Sequence, residues 1–179
     1  MPDAIHVVAN NRAAYHEYFV LDTVEAGVAL VGTEVKSIRA GKVNIRDGFV
    51  RIDYTRDAPE AAAPRGKRRH LQGAEARRPR LEAFLENVTI QPWETGNRYN
   101  HLPTRTRKLL LHRGEIAELF GKAREQGLTI VPLRLYFKEG KVKVEVALVK
   151  GKKSWDKRQA IAERDAKREM ARALRRGER

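Results

Sequence analysis

The 179-residue chain has no cysteine. That excludes a disulfide scaffold, a thiolate zinc site and a cysteine nucleophile, and it suits a reducing cytoplasm. No apolar run approaches the ~20 residues that cross a bilayer, so no membrane partner is expected. Near the N-terminus, Ala4-Ile5 and Val7-Val8-Ala9 are interrupted by His6 and lack a basic lead-in, unlike a secretory signal. The signatures of enzymes are missing as well. The histidines at 6, 16, 70, 101 and 112 include no i, i+4 pair for zinc. The glycines lie singly, and Gly151-Lys152-Lys153 lacks the upstream glycine of a phosphate loop. A ribonuclease would need a His/Lys or His/Glu constellation. His16-Glu17, or His101 with Glu94, can be drawn that way, but nothing in their spacing selects them. The expectation is therefore no catalytic residue, no metal and no cofactor.

What the chain has in excess is positive charge. The net charge is +14 and the pI about 10.4, a balance that marks a polyanion partner, most commonly nucleic acid. Apolar residues make up 41%, enough for one domain with a packed core.

The stretch Gly27–Ile52 organises the rest. Val28–Val31 and Phe49–Ile52 read as strands because β-branched residues suit a pleated surface. Val50 and Ile52 alternate with Phe49 and Arg51. Between these runs a bend carries Lys36, Arg39, Lys42 and Arg46, either a phosphate-facing platform or a solvated polar side. Upstream, residues 1–10 read as a flexible leader, Asn10–Glu17 as a short helical turn capped by an Asn side chain, and Tyr18–Val24 as a strand. Downstream, Asp53–Arg80 has three prolines, six alanines and two basic clusters with no hydrophobic period. It reads as a disordered basic insertion. Leu81–Ile90 is a strand. Ile116, Leu119, Phe120 and Ala123 fall on one face of a helix over Glu115–Gln126 that Gly127 ends. Val131–Phe137 and Val142–Leu148 form a hairpin through Glu139-Gly140, with Pro132 suggesting an edge near its position.

These elements predict a mainly β fold: an oligonucleotide-binding (OB)-type antiparallel barrel of about six strands with one to three helices, over residues 11–149. Residues 150–179 form a separate basic tail, with twelve Lys/Arg against five Asp/Glu. Gly151-Lys152-Lys153 reads as a hinge. The apolar stripe beyond it is narrow, so the tail is expected to be disordered alone and helical once phosphates neutralise it.

Basic clusters alternate with aromatics and small polar residues at Tyr15-His16, Trp93, Asn97–Asn100, Arg105–Lys108 and Trp155. Phosphates would be held by the cations and unstacked bases by the rings. If Leu109 and Leu111 face the core, Leu110 faces out beside Arg and Lys, to pack on a base or ribose or to sit in a secondary cluster. A generic single-strand RNA chaperone on such a barrel fits these features too.

Several strings, in order over nearly the whole chain, resemble the SsrA-binding protein (small protein B) family. They are Asn11-Arg12, Glu25-Ala26-Gly27, Gly32–Lys42, Phe49–Ile52, Gly96-Asn97-Arg98, Thr104–His112, Leu133–Lys138, Lys150–Lys153 and Asp156-Lys157-Arg158. The resemblance implies an OB barrel that binds the tRNA-like domain of transfer-messenger RNA (SsrA RNA) and rescues stalled ribosomes in trans-translation. It implies RNA contacts at Asn11, Glu25 and Leu110 and on the basic surface of Lys36, Ser37, Arg39, Arg105, Thr106, Arg107 and Lys108. The tail, at Gly151, Lys152, Lys153, Trp155, Asp156, Lys157 and Arg158, would meet the decoding site and messenger channel of the small subunit. Elongation factor Tu would be met indirectly, through the alanyl-RNA. Three departures stand out: the insertion at 53–80, where a tight strand connection is usual; Leu102, where an acidic residue is common; and Trp155, where Tyr or His is usual.

Overall fold

The computed structural model describes residues 5–55, 80–94, 100–153, 156 and 170. The elements run β1 (His6–Asn10), α1 (Arg12–Glu17), β2 (Tyr18–Val28), α2 (Gly32–Arg39), β3 (Val43–Asn44), β4 (Phe49–Thr55), β5 (Arg80–Glu86), β6 (Thr89–Ile90), β7 (Arg107–Leu110), α3 (Arg113–Gln126), β8 (Thr129–Lys138) and β9 (Lys141–Gly151). Seven strands form one antiparallel sheet in the order β1-β8-β9-β2-β7-β5-β4, and β3 pairs with β6. The sheet curls so that β4 approaches β8. Its hydrogen-bonded order nevertheless ends at β1 and β4, so this is an OB-like half-barrel rather than a closed one.

The main core lies inside the curl, where Ala26, Ile38, Leu85, Leu109, Leu119, Val144, Val146 and Leu148 are buried together. A second cluster joins Ala14 of α1 to Val131, Leu133, Ala147 and Val149 on the opposite face of β8 and β9. Strand β9 is thus buried on both faces, which explains the unbroken apolar run Val146-Ala147-Leu148-Val149. Helix α3 buries Ile116 and Leu119, sets Phe120 edge-on to Tyr54 with centroids 5.6 Å apart, and ends at Gly127.

The structure revises five sequence expectations. Residues 6–10 are not leader: β1 pairs with β8 from His6↔Phe137 to Asn10↔Arg134, because β8 would otherwise present an unpaired edge. Pro132 lies just past the end of that pairing, at a register shift against β9, so β8 is flanked on both sides from Arg134 to Phe137 and the edge expected near Pro132 begins there. Val28–Val31 is not a separate strand, and the basic bend is helix α2. Its buried residues Glu34, Ser37 and Ile38 stand at i, i+3 and i+4. Two of the three are polar, so the helical period left no hydrophobic trace. The helix closes in a Schellman pattern, Gly41 N–H to Ile38 O and Lys42 N–H to Ser37 O, both 2.9 Å, with Gly41 at φ 74°. Leu81–Ile90 is two strands, broken at Asn87, whose φ is 56°. The expected insertion begins later and ends earlier, since β4 and β5 pair from Phe49↔Glu86 as far as Thr55↔Arg80. The expectation of disorder for the remainder falls on residues 56–79, outside those described. Finally, β9 runs to Gly151, which moves the start of the tail.

Candidate nucleic-acid interface

The outward face of the sheet centres on Gly27, which pairs with Leu110 of β7 and with Lys143 of β9. Leu109 is 1% exposed and Leu110 57%, as alternation requires. A Cβ on Gly27 would stand 3.2 Å from the Leu110 Cβ. Its absence lets the leucine lie across β2. Two residues upstream, the Glu25 carboxylate accepts from the Tyr136 hydroxyl at 2.5 Å and from Lys138 Nζ at 3.2 Å, with Lys143 Nζ 3.5 Å away. The Tyr136 bond is the largest influence; burial opposes it, and Lys138 and Lys143 add to it, so the carboxyl is held below the ordinary Glu value. Burial first, then the Glu25 bond and charge, push the Tyr136 phenol well up, so it stays a donor. Lys108, which pairs with Glu82, borders the same groove, as do His112 and Arg113 at the start of α3. Beside it a second groove joins Val35 of α2 to Leu110 and to Lys141 and Lys143 at the hairpin tip. Lys36, Arg39 and Thr106 are exposed, and the Arg39 guanidinium stands 5.7 Å from the Phe137 ring centroid. Tyr136, Lys138 and Lys143 were not among the residues expected here. Their alternation with Leu135, Phe137, Val142 and Val144 was the available signal.

Three of the expected contacts are interior. Asn11 is 3% exposed, and Ser37 and Arg107 are 0%. The Asn11 Oδ1 accepts the Ala14 N–H at 3.1 Å, capping α1, and its Nδ2 donates to the carbonyls of Arg46 and Pro132, both at 3.1 Å. Arg107 points into the core. Its Nε donates to Glu34 at 2.8 Å, and its terminal nitrogens donate to the carbonyls of Val88 (2.7 Å), Arg105 (2.9 Å) and Pro103 (2.9 Å). Arg105, partly buried, adds two more bonds to Glu34, at 2.8 and 2.5 Å. Glu34 also accepts the Val31 N–H at 2.8 Å, which caps α2. Burial alone would raise the Glu34 carboxyl; Arg105, the Val31 amide and Arg107 outweigh it and hold it below the ordinary value. This buried cluster ties α2 to β7 and to the turn before β6.

The tail is rooted rather than hinged. Gly151 pairs with Tyr18. The Lys152 N–H donates to Glu17 O at 2.9 Å, its Nζ donates to Tyr15 O at 3.0 Å, and the ammonium lies 4.9 Å from the Phe19 ring centroid. The Lys153 N–H donates to the Asp156 carboxylate at 3.0 Å. Trp155, Lys157 and Arg158 lie outside the described residues, as do Gly96-Asn97-Arg98.

Of the candidate nuclease pairings, His101 with Glu94 is otherwise engaged. The Ile90 carbonyl can only accept, so His101 donates through Nε2 (3.0 Å), which leaves Nδ1 to accept from the Thr33 hydroxyl at 3.1 Å. Glu94 pairs with Lys42. Among the described residues, no group of three or more His, Asp or Glu could hold a metal ion, and no helix is long and apolar enough to cross a membrane.

Comparison with known proteins places this geometry. The SmpB protein family model matches residues 8–58 and 59–176. An SsrA-binding protein of Symbiobacterium thermophilum is 53% identical over 172 residues, covering 96% of this chain and 92% of the relative. The SsrA-binding protein of Desulforudis audaxviator is 51% identical over 168 residues, covering 94% and 93%. A chain of the solved structure "tmRNA-SmpB: a journey to the center of the bacterial ribosome" is 42% identical and superposes with a TM-score of 0.57 over 86% of this chain and 93% of its own. By family match, by relatives of half-identical sequence over nearly full length, and by its curled sheet, this chain belongs to the SmpB protein family.

Proposed function

We propose that the chain is an RNA-binding ribosome-rescue factor of the cytoplasm, not an enzyme, and that it grips the tRNA-like domain of transfer-messenger RNA on the face around Leu110. The observation that carries this reading is a leucine 57% exposed over a glycine and sharing its grooves with Lys108, Lys141 and Lys143. An apolar side chain among cations suits a ribose or splayed base whose phosphates the lysines neutralise. Glu25, tied to Tyr136 and Lys138, offers a fixed acceptor to a base or 2′-hydroxyl. Lys36, Arg39 and Thr106 extend the face; Asn11, Ser37 and Arg107 support it from inside. Its family membership and the relatives' names support transfer-messenger RNA as the partner and the ribosome as the setting. On this reading the tail beyond Lys153 enters the vacant messenger channel, and elongation factor Tu is met through the shared RNA.

Binding to transfer-messenger RNA and to an elongator tRNA, compared across salt, tests the reading. Leu110→Asp should weaken the first strongly while the melting temperature holds. Unchanged binding removes Leu110 from the site, and poly-U bound as tightly as the tRNA-like RNA at physiological salt would favour a generic chaperone, because phosphate-only contacts ignore shape.

A further inference from the structure

Glu25 is pinned from two strands away. Strand register sets Arg134 beside Glu145 and Tyr136 beside Lys143. Across β9, Glu145 pairs with Glu25 and Lys143 with Gly27. Tyr136 therefore reaches Glu25 diagonally over the whole of β9, two strand spacings of about 5 Å each. It is 6% exposed, and its hydroxyl donates to the Glu25 Oε2 at 2.5 Å. Lys138 Nζ contacts the same oxygen at 3.2 Å. Oε1 has only longer contacts, Lys138 at 3.4 Å and Lys143 at 3.5 Å. Glu145, the like charge directly opposite, is held by Arg134, and Lys108 lines the same groove as Glu25.

We propose that Tyr136 is a positioning residue for RNA recognition: it fixes the Glu25 carboxylate so that Oε1 faces a hydrogen-bond donor of the RNA, and it touches no RNA itself. Stiffness is the reason for a tyrosine here. A phenol turns about two side-chain torsions and this one is buried, whereas Lys138 and Lys143 sit on flexible four-carbon stems and are partly exposed. The lysines neutralise the carboxylate; the phenol aims it. Burial, then the Glu25 bond, push the phenol pKa up, so the proton stays on the hydroxyl and the bond keeps one direction. A carboxylate already held in its bound rotamer lowers the ordering cost of association. This role rests on the RNA-binding reading above and deepens it, but it is separable from Leu110.

Binding of the full-length chain to the tRNA-like domain is measured for Tyr136→Phe, Glu25→Gln and the double variant, with melting temperatures as controls. Tyr136→Phe keeps the ring and should keep the fold. It should weaken binding roughly fivefold, the effect of one side chain left to be ordered. The slope of log K against log salt should not move, because no phosphate contact is lost. In the Glu25→Gln background the same substitution should add less than about twofold, since it acts through Glu25. A further measurement needs no RNA. The Tyr136 bond is the largest influence holding the Glu25 carboxyl low, so the titration of that carboxyl, followed by NMR in the free protein, should move up in Tyr136→Phe. Binding unchanged in Tyr136→Phe or in Glu25→Gln, a loss repeated in full in the double variant, or a Glu25 titration that stays put would each overturn the positioning role. Loss with Leu110→Asp but not with Tyr136→Phe would sink that role alone; an unaltered chain that ignores the tRNA-like domain would sink the proposed function as well.

Discussion

Replacing Glu34 by Gln keeps its shape and removes its charge. Glu34 and Arg107 are both wholly buried, and Arg105 is 29% exposed. The substitution leaves one guanidinium sealed in the core with only carbonyl partners and a second beside it at the rim. Removing one member of a buried ion pair costs about 3–5 kcal/mol, because the remaining charge is left uncompensated. Arg105 can turn to water, so the lower end, ~3 kcal/mol, is expected. For a domain of this size that corresponds to a fall of roughly 6–12 °C in melting temperature, a large part of a stability of about 5–15 kcal/mol. Acid should erase the difference. The folded-state pKa of Glu34 lies below the ordinary 4.5, so its contribution is complete above that value and is lost as pH falls through the lower folded value. Urea unfolding of both proteins at pH 7 and pH 3 reads this directly. The gap in midpoint should be wide at pH 7 and narrow at pH 3. RNA affinity measured well below the melting temperature should change little. Equal midpoints at pH 7, a gap as wide at pH 3, or a stable variant that has lost RNA binding would each refute the view that this cluster is framework.

Other expectations follow from the same geometry. Glu94→Gln removes a pair on a carboxylate 80% exposed and should leave the melting curve unmoved. Ser37→Ala deletes a buried hydroxyl with no partner among the described residues; it should be neutral or stabilising by up to ~1 kcal/mol in denaturant titration, with RNA binding intact. Deleting residues 154–179 should keep the fold and the binding of tRNA-like RNA while peptide tagging on stalled ribosomes disappears. Deleting from Lys150 should also lower the melting temperature, since it strips the Tyr18↔Gly151 pairing and the Lys152 bonds. Gly27→Val, which crowds Leu110, should reduce RNA affinity more than it reduces stability.

Periodicity in the sequence revealed the hairpin β8–β9, helix α3 and the outward turn of Leu110, and capping preference revealed that an asparagine starts α1. Where it fell short, the reason was a polar residue doing interior work. The alternation that turns Leu109 inward turns Arg107 inward too, yet a buried arginine is credible only with a partner, and Glu34 is 73 residues away. Helix α2 was obscured in the same way, since its buried stripe contains that glutamate and a serine. Strand β1 is too short to declare itself; the free edge of β8, a long-range feature, recruits it. The expected asparagine cap is supplied by Asn11, while its ties to Arg46 and Pro132 depend on three distant segments converging.

The rooting of the C-terminal extension has a mechanical consequence. Strand β2 carries Glu25 near one end and, at the other, Tyr18, which clasps Gly151 where the chain leaves the sheet. Seven residues of strand separate them, roughly 20 Å, and the pairing with β9 stiffens the span. If Glu25 lies in the RNA grip proposed above, the strand is a ruler with that grip at one mark and the outlet at the other. Whatever the two ends engage is held at a set spacing and angle, and lengthening the chain after Lys153 would widen the reach of the free end without altering that gauge.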